Sequence, residues 1–182
     1  MGHFCLNCGA PLEIRVIEGR ELEACPHDDF VLWRDPKVAT AVVVEARDGI
    51  VLGRRAIEPG YGEWCLPGGF VNHDEDPAAA AVRECREEIG AEVELLELLG
   101  VYHVAKSAAS SIVGIGYRGR LVDGASISAG TEMLEVRVFR PGELPPVAFP
   151  SHRDVLAMYG SGVRSASPPS PAPAPRTQQR TR

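Results

Sequence analysis

Apolar positions between residues 77 and 89 recur at intervals of three and four, the period of a helix with one buried face. These positions are Ala78, Ala81, Val82, Cys85 and Ile89. Asp76 is a favourable N-cap, Pro77 suits the first helical position, and Gly90 provides a stop. The pattern therefore predicts a helix from about Pro77 to Ile89.

Shorter apolar and β-branched runs on both sides of this helix predict strands. An Asp48-Gly49 turn signal joins the first two runs as a hairpin, and Ser151 begins a last helix that extends to about Tyr159. Strands before and after a buried helix, with another helix closing the chain, predict an α/β sandwich around a mixed sheet. The predicted strands are residues 39–45, 50–55, 92–99, 111–121 and 135–140, and residues 64–71 lead the chain into the helix segment.

Size and charge narrow the class of protein. The chain has 182 residues, of which 45% are hydrophobic, and this is enough for one good core with a small module attached. The net charge is −6, but residues 161–182 contain four arginines and no acid, so the remaining residues carry −10. Such an acidic body has no broad electrostatic footprint for nucleic acid, which makes nucleic acid an unfavoured partner.

The two ends of the chain carry no membrane signal. No stretch approaches membrane-spanning length, and the N-terminus lacks the basic and apolar regions of a signal peptide. A cytoplasmic protein is therefore expected. Residues 161–182 are rich in proline and serine and poor in apolar groups, which predicts a disordered tail.

Three of the five cysteines lie near the N-terminus in a pattern that predicts a zinc ribbon over residues 1–34. Cys5 and Cys8 form a Cys-x-x-Cys pair, and Cys25 follows after sixteen intervening residues. The fourth ligand is irregular, because ribbon spacing points to Asp28 whereas the preference of zinc for nitrogen and sulfur points to His27, which we slightly prefer. Four filled positions leave no site for water, so this zinc is expected to be structural.

A ribbon without metal is the alternative. In that case the module is held only by apolar side chains, namely Phe4, Leu12, Ile14 and Phe30. The other two cysteines, Cys65 and Cys85, lie inside apolar patterns and are expected to be buried as small hydrophobic residues.

The predicted helix also carries a cluster of acids. Glu84, Glu87 and Glu88 lie three and four residues apart, so their carboxylates crowd one surface and repel each other. A hard divalent cation removes this penalty, and carboxylate oxygens are the ligands that magnesium selects. Arg83 is placed to pair with Glu87 or Glu75, which orients a carboxylate without occupying the metal. The alternative is a solvated acidic helix face.

The spacing of these residues resembles the Nudix box of the Nudix hydrolases. Gly69 is followed after five residues by Glu75 and after seven more by Arg83-Glu84-Cys85-Arg86-Glu87-Glu88-Ile89-Gly90-Ala91. Cys85 and Ala91 stand where the family prefers larger aliphatic residues. The resemblance implies a Nudix-type α/β/α sandwich over residues 35–160 and a magnesium- or manganese-dependent hydrolase.

Further segments resemble the zinc-ribbon Nudix hydrolases that include ADP-ribose and FAD pyrophosphatases. The ribbon is followed, in order, by Asp35-Pro36-Lys37 and by the segments at 64–69, 130–139 and 148–151. In that subgroup Glu132 occupies the late loop whose glutamate completes the metal site or acts as base, and Glu135 is the second candidate. Residues 98–113 lack the Ser-Gln-Pro-Trp-Pro-Phe-Pro segment of NADH pyrophosphatases, which disfavours NADH as the substrate.

The resemblance implies that a water attacks one phosphorus of a bridged diphosphate while a glutamate accepts its proton. The proton acceptor is left open among Glu87, Glu88 and Glu132. Two phosphate monoesters are the expected products. The implied metal ligands are Glu84, Glu87, Glu88 and the Gly69 carbonyl, and the candidate substrate contacts are Arg54, Arg55, Gly68, Gly69 and Glu135.

The expected partner is a small nucleotide substrate, with a homodimer as a further expectation and no membrane. One alternative within the enzyme class is an NAD(H) or dinucleotide-cap pyrophosphatase. A second alternative, of another class, is a Nudix-fold protein that senses a nucleotide without hydrolysing it.

Overall fold

The computed structural model describes residues 2–107 and 110–161. The predicted tail lies outside these residues from position 162 onward. Along the described chain the elements are β1 (Glu13–Ile17), β2 (Arg20–Ala24), β3 (Val31–Leu32), β4 (Lys37–Ala46), β5 (Gly49–Arg55), β6 (Trp64–Cys65), α1 (Pro77–Ile89), β7 (Val93–Ser107), β8 (Ser110–Leu121), β9 (Met133–Phe139) and α2 (Pro150–Ser161).

The N-terminal strands form a small antiparallel sheet of their own, in the order β1-β2-β3. The remaining strands form a six-stranded sheet in the order β6-β5-β4-β8-β7, and β9 pairs with β5. Strands β4 and β8 run parallel, whereas the other pairs are antiparallel. The large sheet is therefore mixed, as predicted.

The two helices cover opposite faces of the large sheet. Helix α1 contributes Ala81, Cys85 and Ile89 to one buried cluster, which includes Val42 and Val44 of β4. Helix α2 contributes Val155 to a second cluster, on the other face, with Leu52 and Leu66. Successive strand residues point to alternate faces, so Val43 faces the second cluster. This arrangement confirms the predicted α/β/α sandwich.

Helix α1 has the predicted bounds because its end signals act as expected. The Asp76 carboxylate accepts a hydrogen bond from the Ala78 N–H at 2.8 Å. Gly90 ends the helix with a φ of 64°, and its N–H donates to the Arg86 carbonyl at 3.1 Å. Cys85 is fully buried on the inner face of the helix, and Cys65 is buried in β6, as predicted.

The main difference from the predicted strands lies in β7, which continues to Ser107 rather than ending near residue 99. Bulges interrupt its pairing with β8, and they break the period-2 pattern on which the strand prediction depends. Among the described residues, no helix is long and apolar enough to cross a membrane.

Candidate active site

Two glycines bring the chain into close contact with β4 and α1. Gly68 has a φ of +149°, and a Cβ there would lie 2.1 Å from the Thr40 carbonyl oxygen. A Cβ on Gly69 would lie 2.5 Å from the carboxyl carbon of Glu84. The Gly69 carbonyl accepts the Thr40 N–H at 2.8 Å. The absence of a side chain at Gly68 therefore allows the loop to approach β4, and its absence at Gly69 allows the Glu84 carboxylate to lie directly against the loop.

Arg83 connects three of the predicted glutamates. Its guanidinium donates two hydrogen bonds to Glu75, at 3.0 and 2.6 Å, and these hold the pKa of Glu75 down at about 2. It also donates to Glu84 at 2.8 Å and to Glu87 at 2.9 Å. A further bond reaches the Phe70 carbonyl at 3.1 Å. Arg83 thus fixes the helix to the loop and orients two helical carboxylates.

Glu88 is buried, with only 4% of its surface exposed, so it does not belong to a solvated acidic helix face, which was the alternative interpretation. Its carboxylate accepts the Gly68 N–H at 2.8 Å. Burial raises the pKa of Glu88 to about 8, and the nearby Glu84 charge acts in the same direction. Glu88 follows Cys85 by three residues and therefore lies on the same helix face as the apolar residues. This spacing is the feature of the sequence that could have predicted its burial.

Glu84, Glu88 and Glu132 share one site. Burial raises the pKa of Glu84, while Arg83 opposes this shift. Glu132 is close enough for its charge to raise the pKa of both Glu84 and Glu88. Glu87 lies on the same helix but is exposed, at the outer edge of the cluster. The structure therefore brings together the three helical glutamates and the late-loop glutamate.

The loop that carries Glu132 is attached to the last turn of α1 by backbone hydrogen bonds. The Ser128 N–H donates to the Ile89 carbonyl at 2.9 Å, and the Gly130 N–H donates to the Glu88 carbonyl at 3.0 Å. A Cβ on Gly130 would lie 1.8 Å from the Glu87 carbonyl oxygen. These contacts satisfy helix-end carbonyls and bring the loop beside the helical glutamates.

Only one of the two candidate arginines lies at this site. Arg55 is buried, donates to the Pro59 carbonyl at 2.7 Å, and lowers the pKa of Glu88 through its charge. Arg54 instead lies 3.6 Å from Glu135 across β5 and β9. The structure therefore does not bring Arg54 and Glu135 together with the box glutamates, and their role as substrate contacts stays a prediction. Val136, next to Glu135, packs on the α1 side, so alternation places Glu135 on the opposite face.

His152 is a site neighbour that the sequence analysis did not identify. The Leu66 N–H donates to its Nδ1 at 3.1 Å, just before the glycine loop. Burial lowers the pKa of His152 to about 4, and the positive charge of Arg55 adds to this effect. The ring packs edge-on against Phe149, and the guanidinium of Arg55 lies over the same Phe149 ring. Helix α2 thus supports the segment that leads into the glycine loop.

The depressed pKa of His152 predicts a pH-dependent stability. Above its ordinary pKa of about 6.5 the histidine is neutral in both states, but below it the unfolded chain takes up a proton that the folded chain refuses until about pH 4. This group should therefore remove about 3 kcal/mol of stability as the pH falls through that window. Urea unfolding at pH 7, 5.5 and 4.5 should show a steeper loss for wild type than for His152→Gln. Parallel profiles would contradict this assignment.

The arrangement of the glycine loop and the helical glutamates agrees with the family that the sequence of the chain matches. The family model of the Nudix domain matches residues 35–159, which is more than half of the chain. The chain belongs to the Nudix family. The resemblance inferred from the box is therefore confirmed, and the protein is a Nudix hydrolase.

Relatives of this Nudix hydrolase carry several activities. An ADP-ribose pyrophosphatase from Methanocaldococcus jannaschii is 30% identical over 158 residues, which cover 86% of this chain and 89% of the relative. The NAD-capped RNA hydrolase NudC of Pseudomonas aeruginosa is 26% identical over 154 residues, covering 84% of this chain but 52% of that protein. A Nudix hydrolase from Nitrosomonas europaea has a crystal structure with a TM-score of 0.75 and 34% identity, covering 86% of this chain and 90% of that one.

The segments beside the small sheet of the Nudix hydrolase, before β1 and between β2 and β3, carry a second cluster of ligand-type side chains. One ligand atom from each of Cys5, Cys8, Cys25 and Asp28 lies within 4.8 Å of all the others. The backbone N–H groups of Asn7 and His27 donate to the sulfurs of Cys5 and Cys25, at 3.4 and 3.3 Å. Each of these sulfurs thus accepts an N–H from two residues further along. The donor set and its compactness suit a metal ion.

Asp28, rather than the slightly preferred His27, joins the cysteines of the ribbon. The turn after Cys25 exposes His27 and directs the Asp28 carboxylate toward the cluster, where it accepts the Phe30 N–H at 2.9 Å. The metal-free alternative relied on four apolar side chains, of which two, Phe4 and Ile14, are 60% and 65% exposed. Leu12 and Phe30 are partly buried.

Proposed function

We propose that this Nudix hydrolase uses magnesium or manganese to cleave the diphosphate linkage of a nucleoside diphosphate derivative of the ADP-ribose or FAD type. The products are two phosphate monoesters. The observation that carries the proposal is the convergence of Glu84, Glu88 and Glu132 beside the glycine loop.

The residues fit a divalent cation. Three carboxylates converge, and burial disfavours the charged form of two of them, so a cation among them offsets both repulsion and desolvation. Glu84, Glu87, Glu88 and Glu132 would supply oxygen ligands, and the Gly69 carbonyl oxygen, which accepts the Thr40 N–H, retains a second lone pair for the cation. Arg83 orients Glu84 and Glu87 from the other side. The Glu84 carboxylate is packed closely against the glycine loop, because a Cβ on Gly69 would occupy the place of this carboxylate.

When bound, magnesium neutralises charge on phosphate oxygens and lowers the pKa of water. The other functions belong to the chain. Arg55 places a buried positive charge close to Glu88, where it can pair with a substrate phosphate. Glu87 and Glu132 are exposed at the edge of the cluster, so they can take up a proton and pass it to solvent. Glu88 is the third candidate for the proton acceptor.

The substrate class is supported by the archaeal relative named ADP-ribose pyrophosphatase, which aligns over most of both chains. The FAD alternative rests on the resemblance of the ribbon-bearing segments. The NudC relative favours an NAD or cap dinucleotide as second candidate, although this chain spans only about half of that protein. The acidic body of −10 disfavours a long RNA partner.

A substrate panel tests the proposal. Purified protein would be incubated with magnesium and ADP-ribose, FAD, NADH, diadenosine polyphosphates or capped RNA, and the products separated by chromatography. We expect AMP with ribose 5-phosphate or with FMN. Binding of these nucleotides without any metal-dependent cleavage would instead support the nucleotide-sensing alternative.

We also propose that the ribbon cluster holds one structural zinc ion. Three cysteines and one aspartate fill a tetrahedral set, which leaves no position for a reacting water. The exposed apolar side chains of the ribbon support this assignment, because a module without its own core needs a staple.

Zinc content of matched variants tests the fourth ligand. Wild type and His27→Ala should each retain about one zinc per chain after dialysis against a weak chelator, whereas Asp28→Ala should bind zinc at least about tenfold more weakly. Atomic absorption and a competition titration provide the measurements. Equal loss of zinc in both variants would contradict the assignment of Asp28 alone.

A further inference from the structure

A groove of about 880 Å³ lies between the ribbon and the β7–β8 hairpin of the large sheet. It is distinct from the carboxylate cluster, and none of the box residues lines it. Both units contribute to its walls, so it exists only because the ribbon precedes the catalytic domain. Residues that characterise its lining are Arg20, Leu32, Trp33, Pro36, His103 and Ser111.

The groove offers an aromatic surface. Trp33 lies directly after β3 and is 48% exposed, although tryptophan is usually far more buried. The indole lies beside the apolar side chains of Leu32 and Pro36 in the same lining. A half-exposed tryptophan in a concave site is suited to stacking on a planar ring.

The charged side chains of the groove disfavour phosphate binding there. Two arginines and three acids line it, and Arg34 is already paired with Glu23 at 2.9 Å. Within residues 2–107 and 110–161, the charged lining residues without an ion pair are Arg20, Glu21 and Asp35, which leaves a small excess of negative charge. Carboxylates repel a phosphate but accept hydrogen bonds from hydroxyl and amino groups. The groove thus suits the uncharged end of a nucleotide.

Neighbouring residues of the chain link the groove to the glutamates of the Nudix box. Asp35 and Pro36 line the groove, and the next residue, Lys37, places its ammonium 5.0 Å from the centre of the Phe70 ring. Phe70 follows Gly69, pairs with Ala39 of β4, and accepts the Arg83 guanidinium at its carbonyl. Lys37 is therefore a positive charge between the groove and the glutamates. Trp33 and Lys37 are four residues apart, so their Cα atoms are separated by at most about 14 Å.

We propose that this groove binds the aromatic base of the substrate by stacking on Trp33, while Lys37 faces the diphosphate. The ligand class is a nucleoside diphosphate derivative with a planar ring at one end, and this assignment rests on the proposed function. The ribbon then contributes to substrate selection as well as to folding. Substrates without a ring at that end lack the stacking contact and therefore bind more weakly.

Kinetics of matched variants test the proposal. With the best substrate of the panel, Trp33→Ala should raise KM by about tenfold, the effect of losing one base stack, and Trp33→Phe should recover most of this loss. The change should be in KM rather than in kcat, because Trp33 lies away from the glutamates. Val16→Ala, an exposed ribbon residue outside the groove, is the control and should match wild type. A KM within twofold of wild type for Trp33→Ala would overturn the proposal.

A binding measurement that does not depend on hydrolysis tests the groove separately from the proposed function. The chain has two tryptophans, so in a Trp64→Phe background the emission reports Trp33 alone. AMP should quench it saturably without magnesium, whereas ribose 5-phosphate, which has no ring, should not. No quenching by AMP, or equal quenching by both, overturns the groove assignment even if the enzyme is active. Quenching by AMP alone supports the groove even if no substrate of the panel is cleaved.

Discussion

Glu88→Gln should lower magnesium-dependent hydrolysis by at least about tenfold to a hundredfold while leaving the protein folded. The amide keeps an oxygen that can accept the Gly68 N–H, so the contact between helix and loop is retained. It removes the negative charge that a divalent cation requires at the centre of the cluster. The measurements are the initial rate over a magnesium titration and the thermal midpoint of the variant.

Glu94→Gln is the matched control for this prediction. Glu94 is an exposed carboxylate on β7 that pairs with Arg120, outside the cluster, so its loss should leave the rate unchanged. A Glu88→Gln enzyme with wild-type turnover at every magnesium concentration would show that the site has been assigned wrongly. A variant that fails to fold would be replaced by Glu84→Gln, whose carboxylate is less buried.

Alanine substitutions at the two loop glycines should separate catalysis from folding. At Gly69 the new Cβ meets the end of a flexible side chain, Glu84, so we expect a folded protein with activity reduced by about a hundredfold. At Gly68 the new Cβ meets the Thr40 backbone oxygen at 2.1 Å, and the φ of +149° is unfavourable for alanine. We therefore expect Gly68→Ala to lose at least about 2 kcal/mol of unfolding free energy.

Urea unfolding and specific activity measured on the same preparations provide the comparison. Gly62→Ala is not a suitable control, because its φ of +78° adds strain of its own. Gly2→Ala has open space around it and no such φ, and it should match wild type in both measurements. The expectation fails if Gly69→Ala keeps full activity or if Gly68→Ala is as stable as wild type.

The features that depend on local signals could be predicted from the sequence. The bounds of α1 follow from Asp76, Pro77 and Gly90, since capping is decided by a few adjacent residues. The mixed sheet and the box spacing also follow from local patterns. The burial of Glu88 has a local signal too, but a charged residue on an apolar stripe contradicts the usual preference for exposure.

The remaining features depend on contacts between distant segments. Arg54 and Arg55 are neighbours on β5 and point to opposite faces, and only the way β5 packs in the sheet determines which of them faces the glutamates. The position of His152 depends on how α2 packs against Leu66, 86 residues earlier in the chain. The choice of Asp28 over His27 depends on the turn after Cys25. None of these relations has a fixed spacing in the sequence.

The attachment of the late loop to α1 has a consequence for engineering. The backbone N–H groups of Ser128 and Gly130 donate hydrogen bonds to the carbonyls of Ile89 and Glu88. The loop therefore caps the C-terminal end of the helix that carries the box. A loop grafted from another Nudix protein would therefore bring its own glutamate into place only if it also carries a residue without a side chain at position 130. Chimeric proteins should therefore exchange the end of the helix and the loop together.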